Sequence, residues 1–201
     1  MRIVSTIIFS ALGMMWAEKS VSAARVHQPS AYTSARALLL RARDLPRGYG
    51  HVRSFVQQSV SLWDGGIRPI MAVDESNGWL QAAQETMHDG HGKPAAVSVQ
   101  LFRDAGGARR DFAAFFTNAH PETVYMPGAE WLGGYPITGL GRPATIFRTS
   151  DSTSGCPGNL SAGIAWITSN ALFNVRVCLR TVGETGARDL ARRLSAHSRG
   201  R

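Results

Sequence analysis

Residues 79–102 read WLQAAQETMHDGHGKPAAVSVQLF, and the parsing of this stretch decides the fold. Ala95 to Phe102 is a plain strand, with Val97, Val99 and Leu101 on one face and Ser98 and Gln100 on the other. Trp79 to His88 is ambiguous, because its Ala and Gln residues favour helix on propensity alone. Between the two lies Asp89-Gly90-His91-Gly92, a tight-turn sequence that a helix leaves unexplained and a hairpin requires. The stretch therefore reads as two antiparallel strands, 79–88 and 95–103.

Working outward toward the C-terminus, Asp104 is placed to cap a helix in which Ala108, Phe112, Phe115, Phe116 and Ala119 form a wide apolar stripe. His120-Pro121 ends it. Residues 121–143, rich in Pro, Gly and aromatics, read as a long irregular excursion. Strands are expected at 144–149, 162–169 and 172–180, the last two joined by a turn at Ser169-Asn170. In the final strand Phe173, Val175, Val177 and Leu179 face one way, and Asn174, Arg176, Cys178 and Arg180 the other. Ala187, Leu190, Ala191 and Leu194 then mark a closing helix.

Toward the N-terminus, Ala35, Leu38, Leu39, Ala42 and Leu45 recur at helical spacing between Ser34 and the stop at Pro46-Arg47-Gly48. His51 to Leu62 changes to a period of two, a half-buried strand. Ile67 to Val73 reads as a short irregular strand interrupted by Pro69. The sum is an α+β domain, an antiparallel β-sheet with helices packed mainly on one face. It spans residues 34–196, after a flexible lead-in at 24–33 and before a frayed tail at 197–201. No internal repeat is visible.

The first residues carry a different message. Met1-Arg2 precedes an apolar run from Ile3 to Ala17, and Glu18-Lys19 ends it short of a membrane span. Val21-Ser22-Ala23 supplies small residues at the −3 and −1 positions, so residues 1–23 read as a signal peptide cleaved after Ala23, an uncleaved anchor being the alternative. Secretion is the expected location. Cleavage would remove Arg2, Glu18 and Lys19 and lower the net charge from +8 to +7. Past that point Lys93 is the one lysine, and the arginines are scattered with no dense basic block, which disfavours nucleic acid as a partner. A GC-rich genome explains the Arg bias; affinity for an anionic surface such as phospholipid or wall polymer is the functional reading. Cys156 and Cys178 read as a disulfide in an oxidising compartment, worth roughly 3 kcal/mol for the loop it closes. A thiol nucleophile or a two-thiol metal site is the alternative.

The chain also resembles small bacterial extracytoplasmic α+β domains, secreted, lipoprotein or sensor-like, and its topology is similar to the PsbP-type sandwich. The resemblance lies in DLPRGY (Asp44 to Tyr49), VQLFRDAGGA (Val99 to Ala108), GLG (Gly139 to Gly141) and ARDLARRL (Ala187 to Leu194). It implies a fold and a location but carries over no site residues.

Candidate chemistry is sparse. His88, Asp89 and His91 place two imidazoles and a carboxylate within four residues, a weak metal candidate lacking its further ligands. His120 at a helix end, the Ser150–Ser154 hydroxyls and the acid pairs Asp74-Glu75 and Glu85/Asp89 are too generic to name a reaction. No catalytic residue and no cofactor is assigned. Tyr125, Trp131 and Tyr135 of the aromatic excursion are the candidate ligand-binding residues, with Met126, Pro127 and Pro136 beside them. The expectation is a secreted, non-enzymatic domain binding a ligand, a partner or an anionic cell-envelope component. A small exported hydrolase or metal-dependent enzyme using His88, Asp89, His91 and His120 is the alternative.

Overall fold

The computed structural model describes residues 31–200 except 64–67, 89–91, 93, 117–128 and 153–154. In chain order it has 3₁₀ turns at Arg36–Leu38 and Ala42–Asp44, then strand β1 (Gly50–Gln57) and helices α1 (Val60–Trp63) and α2 (Arg68–Ser76). Strands β2 (Trp79–His88) and β3 (Pro94–Phe102) precede helix α3 (Ala105–Phe115). Four strands follow, β4 (Ala129–Pro136), β5 (Ala144–Asp151), β6 (Leu160–Thr168) and β7 (Ala171–Cys178), and helix α4 (Gly183–Arg199) closes the chain. The strands form one antiparallel sheet in the order β1-β2-β3-β7-β6-β5-β4.

The hairpin of β2 and β3 runs from Trp79 opposite Phe102 to His88 opposite Pro94, so the strand reading of 79–88 holds over helix propensity. Cross-strand pairing along the whole segment outweighs a preference worth a few tenths of a kcal/mol per residue. The turn between β6 and β7 lies at Ser169-Asn170, with Ser169 in the left-handed region at φ 54°. Asn170 ties three segments together: its amide donates to the carbonyls of Tyr32 and Phe102, and its Oδ1 accepts from the Tyr32 N–H.

The α+β class and the antiparallel sheet are as expected, but the helices divide between the two faces. On one face, Val97 and Val99 of β3, Ile164 and Trp166 of β6 and Phe173 and Val175 of β7 pack against Leu38–Leu40 and against Ala187, Leu190, Ala191 and Leu194 of α4. The Trp166 and Phe173 rings stack with centroids 5.1 Å apart. On the other face, Phe102, Phe147, Ala165, Ile167 and Leu172 meet Ala108, Phe112 and Phe115 of α3 and Ile70 of α2. The central strands thus bury both of their faces, which one layer of helix could not cover.

Five local expectations are corrected. The segment 34–45 is two 3₁₀ turns and not one helix, because Leu39 turns extended (ψ 154°). That break lets the consecutive Leu38, Leu39 and Leu40 all enter the core, whereas a continuous helix would swing them through about 200°. Residues 68–76 form a helix, not a strand; Pro69 sits in its first turn, where a missing N–H costs nothing. The excursion 121–143 contains β4, and the strand begun at 51 ends at Gln57 with α1 behind it. The closing helix runs past Leu194 to Arg199, with Ser198 buried.

Helix α3 starts as expected, with the Asp104 carboxylate accepting from the Gly107 N–H at 2.7 Å. Gly107 itself cannot be larger: a Cβ there would fall 2.0 Å from the Asn77 carbonyl oxygen. This close approach brings α3 onto the end of α2 and creates a buried acid pair. Asp74 is 2% exposed and Asp111 0%. The Asn77 side-chain amide donates to Asp111 at 3.2 Å, and Arg110 donates to the Asn77 Oδ1 at 3.2 Å. Burial, then the neighbouring Asp111 carboxylate and the hydrogen bond to it, push Asp74 up to about 9.

Asp74 therefore keeps its proton at neutral pH in the folded chain and loses it in the unfolded one. The folded state binds more protons between about pH 4 and 9, so stability falls as pH rises through that window. Asp74→Asn supplies a donor that needs no proton. It is expected to flatten the decline and to raise stability at pH 8 by on the order of 2 kcal/mol. Urea denaturation at pH 5 and pH 8 measures this; identical pH dependence in the two proteins would contradict the shared-proton arrangement.

Candidate functional site

The two helical layers differ in charge. The layer carrying α4 and residues 32–49 holds eight arginines, Arg36, Arg41, Arg43 and Arg47 from the lead segment and Arg188, Arg192, Arg193 and Arg199 from α4. Only three carboxylates accompany them, Asp44, Glu184 and Asp189. The opposite layer, 68–76 with 104–115, has three arginines and four carboxylates, two of them, Asp74 and Asp111, buried. The periodicity of α4 causes the asymmetry: its apolar stripe faces the sheet, so every Arg falls on the outer surface or at the margins.

Two of the acids are spent on local pairs. Asp189 binds Arg193 one helical turn on at 3.0 Å, and Asp44 meets His197 at 3.1 Å, joining the lead segment to the end of α4. Glu184, in the first turn of α4, reaches across to the sheet. It accepts from the Arg148 Nε at 2.7 Å and from the Tyr135 hydroxyl at 2.8 Å. The Tyr135 hydrogen bond, followed by Arg148, holds the Glu184 carboxyl below the usual range. These groups line a cleft of about 200 Å³ against the edge strand, with Leu132, Gly133 and Gly134. A smaller one of about 80 Å³ lies beside it, between Arg188 and Arg192 and the segment from Ile137 to Leu140.

The three aromatic candidates are not gathered in one place. Tyr125, like Met126 and Pro127, lies outside the described residues. Trp131 and Tyr135 point to opposite faces, because a bulge between Trp131 and Gly133 shifts the register of β4. Trp131 packs on the α3 side, its ring stacked 5.3 Å from that of Phe147. Phe147 in turn lies over Gly163, whose missing side chain makes the room. Tyr135 stands on the α4 side, 44% exposed, with Leu132 exposed nearby.

Of the metal candidates, His88 ends β2, while Asp89 and His91 lie outside the described residues, as does His120. Among the described residues there is no group of three or more His, Cys, Asp or Glu able to hold a metal. Cys156 and Cys178 form the disulfide, with Cα atoms 5.1 Å apart. Cys178 lies on the strand face expected to be polar, but the bridge is buried, at 7% and 0% exposure for the two residues. No described helix is long and apolar enough to cross a membrane.

The arginine layer and the acid pair were not singled out from sequence. Arg188 and Arg192 are spaced i, i+4 beside the stripe of α4, a readable cluster of like charge with Glu184 and Asp189 as its acids on the helix. Asp111 was readable too, as a carboxylate falling within the apolar stripe of α3. No family model matches the chain, and neither does any curated protein or solved structure.

Trp131 in this arrangement is a packing residue. Trp131→Ala is expected to cost on the order of 2 kcal/mol, less than a fully buried Trp because the ring stays partly exposed. Trp131→Phe preserves the stack and is expected to be nearly neutral. Thermal melts of both variants check this, and equal loss in the two would show that the indole acts through something other than its stack.

Proposed function

We propose that the chain is an extracytoplasmic binding domain that docks on an anionic phospholipid surface through the layer formed by α4 and residues 36–47. The observation that carries this reading is the concentration of the basic excess, eight arginines to three carboxylates, in one of two helical layers. An arginine close to an anionic leaflet gains about 1 kcal/mol, so three or four acting together give measurable, salt-sensitive binding. Leu132 and Tyr135, exposed at the border of that layer, are residue types that settle at a lipid headgroup boundary.

The location is supported by the signal-like residues 1–23 and by the disulfide, which an oxidising compartment preserves. Membrane attachment here is peripheral, through charge and a few interfacial side chains. It needs no catalytic group.

Co-sedimentation with phosphatidylcholine vesicles, with and without phosphatidylglycerol, tests the reading. Binding is expected only with the anionic lipid. It should disappear as salt rises from about 0.1 M to 1 M and the Debye length contracts from about 10 Å to 3 Å. Arg36→Glu and Arg193→Glu are each expected to weaken it several-fold. Equal binding to both vesicles would overturn the proposal, as would binding to isolated wall polymer with none to either vesicle.

A further inference from the structure

The cleft between α4 and the Ile137–Leu140 segment has features that a general cationic surface does not need. Arg188 and Arg192 stand one helical turn apart, where like charges destabilise a helix. Their neighbours are neutralised: Arg193 by Asp189 and Arg148 by Glu184. Among the described residues, neither Arg188 nor Arg192 has a carboxylate within ion-pair distance, and Arg188 donates a long hydrogen bond of 3.5 Å to the Tyr135 hydroxyl. Glu184, one turn before Arg188, feels that charge, but its hydrogen bonds go to Arg148 and Tyr135.

The space between them is a small cleft of about 80 Å³ open to solvent, which one tetrahedral oxyanion can enter. The far wall offers the Thr138 hydroxyl and the backbone of Gly139, whose φ of 90° only glycine adopts freely, while Ile137 and Leu140 pack down on the core. Each guanidinium presents a planar fork of donors. A carboxylate's two oxygens lie in one plane and are met by one fork; the non-bridging oxygens of a phosphodiester, two in number but set tetrahedrally about phosphorus, and the four of free phosphate can be approached by both forks from different directions.

We propose that this cleft seats a single phosphate group between the Arg188 and Arg192 guanidinia, with Thr138 as a further donor. The inference rests on the surface-binding reading for its biological setting, since a phospholipid headgroup supplies the phosphate there, but the seat stands or falls on its own chemistry. Free phosphate is the other source of the same group.

Two measurements on the full chain separate these possibilities. In the first, the arginine Nε–Hε resonances are followed by NMR while inorganic phosphate or, at equal ionic strength, acetate is added. The Arg188 and Arg192 signals are expected to shift with phosphate and not with acetate. In the second, vesicle binding is compared at matched surface charge from phosphatidylglycerol or from oleate, for the native protein, the Arg188→Lys/Arg192→Lys variant and Arg36→Glu. Lysine keeps the charge and loses the fork. A preference for phosphatidylglycerol of about tenfold is expected, lost in the lysine variant. Arg36→Glu should weaken both vesicles alike and keep the preference.

Equal shifts with phosphate and acetate, or shifts elsewhere in the protein only, would overturn the seat while leaving surface binding intact. Selective shifts with no vesicle binding would support the seat with free phosphate as its ligand and remove the membrane reading. A lysine variant that retains the vesicle preference would overturn the headgroup assignment.

Discussion

Strands β3, β6 and β7 carry apolar side chains on both faces, and neither face of the sheet centre can be left to water. Phe173 and Val175 point one way and Leu172 the other; Ile164 and Trp166 oppose Ala165 and Ile167. Burying a large apolar side chain is worth about 1.5–3 kcal/mol, so a bare face would forfeit much of the stability of a domain this size. The chain meets the requirement with α4 and the three leucines Leu38–Leu40 on one side and α2 with α3 on the other. Asn170 and Tyr32 pin the lead segment where it must lie for this to work. Gly107 does the same for α3 by removing the atom that would collide with Asn77.

This constraint also decides where function can sit. With both faces covered, the exposed chemistry belongs to the outer sides of the two helical layers and to the edge strands. The edges are blunted: β4 has a bulge at Trp131–Gly133 and ends at Pro136, features that discourage another strand from pairing. What remains is the difference between the layers. The α2–α3 layer turns two carboxylates, Asp74 and Asp111, inward and sets three arginines against Glu75 and Asp104 outside. The α4 layer places its arginines outward with few acids among them.

Much of the fold was legible because strand periodicity is a local signal. Residues 79–102 gave a hairpin once the turn was weighed against propensity, and the alternation in 172–180 placed Phe173, Val175 and Val177 on one face. Two-sided coverage was not legible, because Asn174 and Cys178 made the second face of β7 look polar. Its apolar members, Leu172, Ala165 and Ile167, come from three positions that only the pairing of β6 with β7 brings together. Pro69 and the Leu38–Leu40 run misled for a related reason: each local pattern fits two structures, and tertiary contacts chose between them. The site was less legible still. Trp131 and Tyr135 were grouped as ligand-binding candidates of an irregular excursion, but that stretch holds a strand whose bulge sends them to opposite faces. The arginines of α4 looked scattered along the chain, yet helix and lead segment gather them in one layer.

Native-state hydrogen exchange tests two-sided burial most directly. The account expects the amides of Ile164, Trp166, Phe173 and Val175 to exchange only through global unfolding, while those of β1 and β4 exchange through smaller openings of lower free energy. If the β6 and β7 amides exchanged as fast as those of the edge strands, the sheet centre would not be sealed from both sides, and the division of the surface into two unlike layers would lose its foundation.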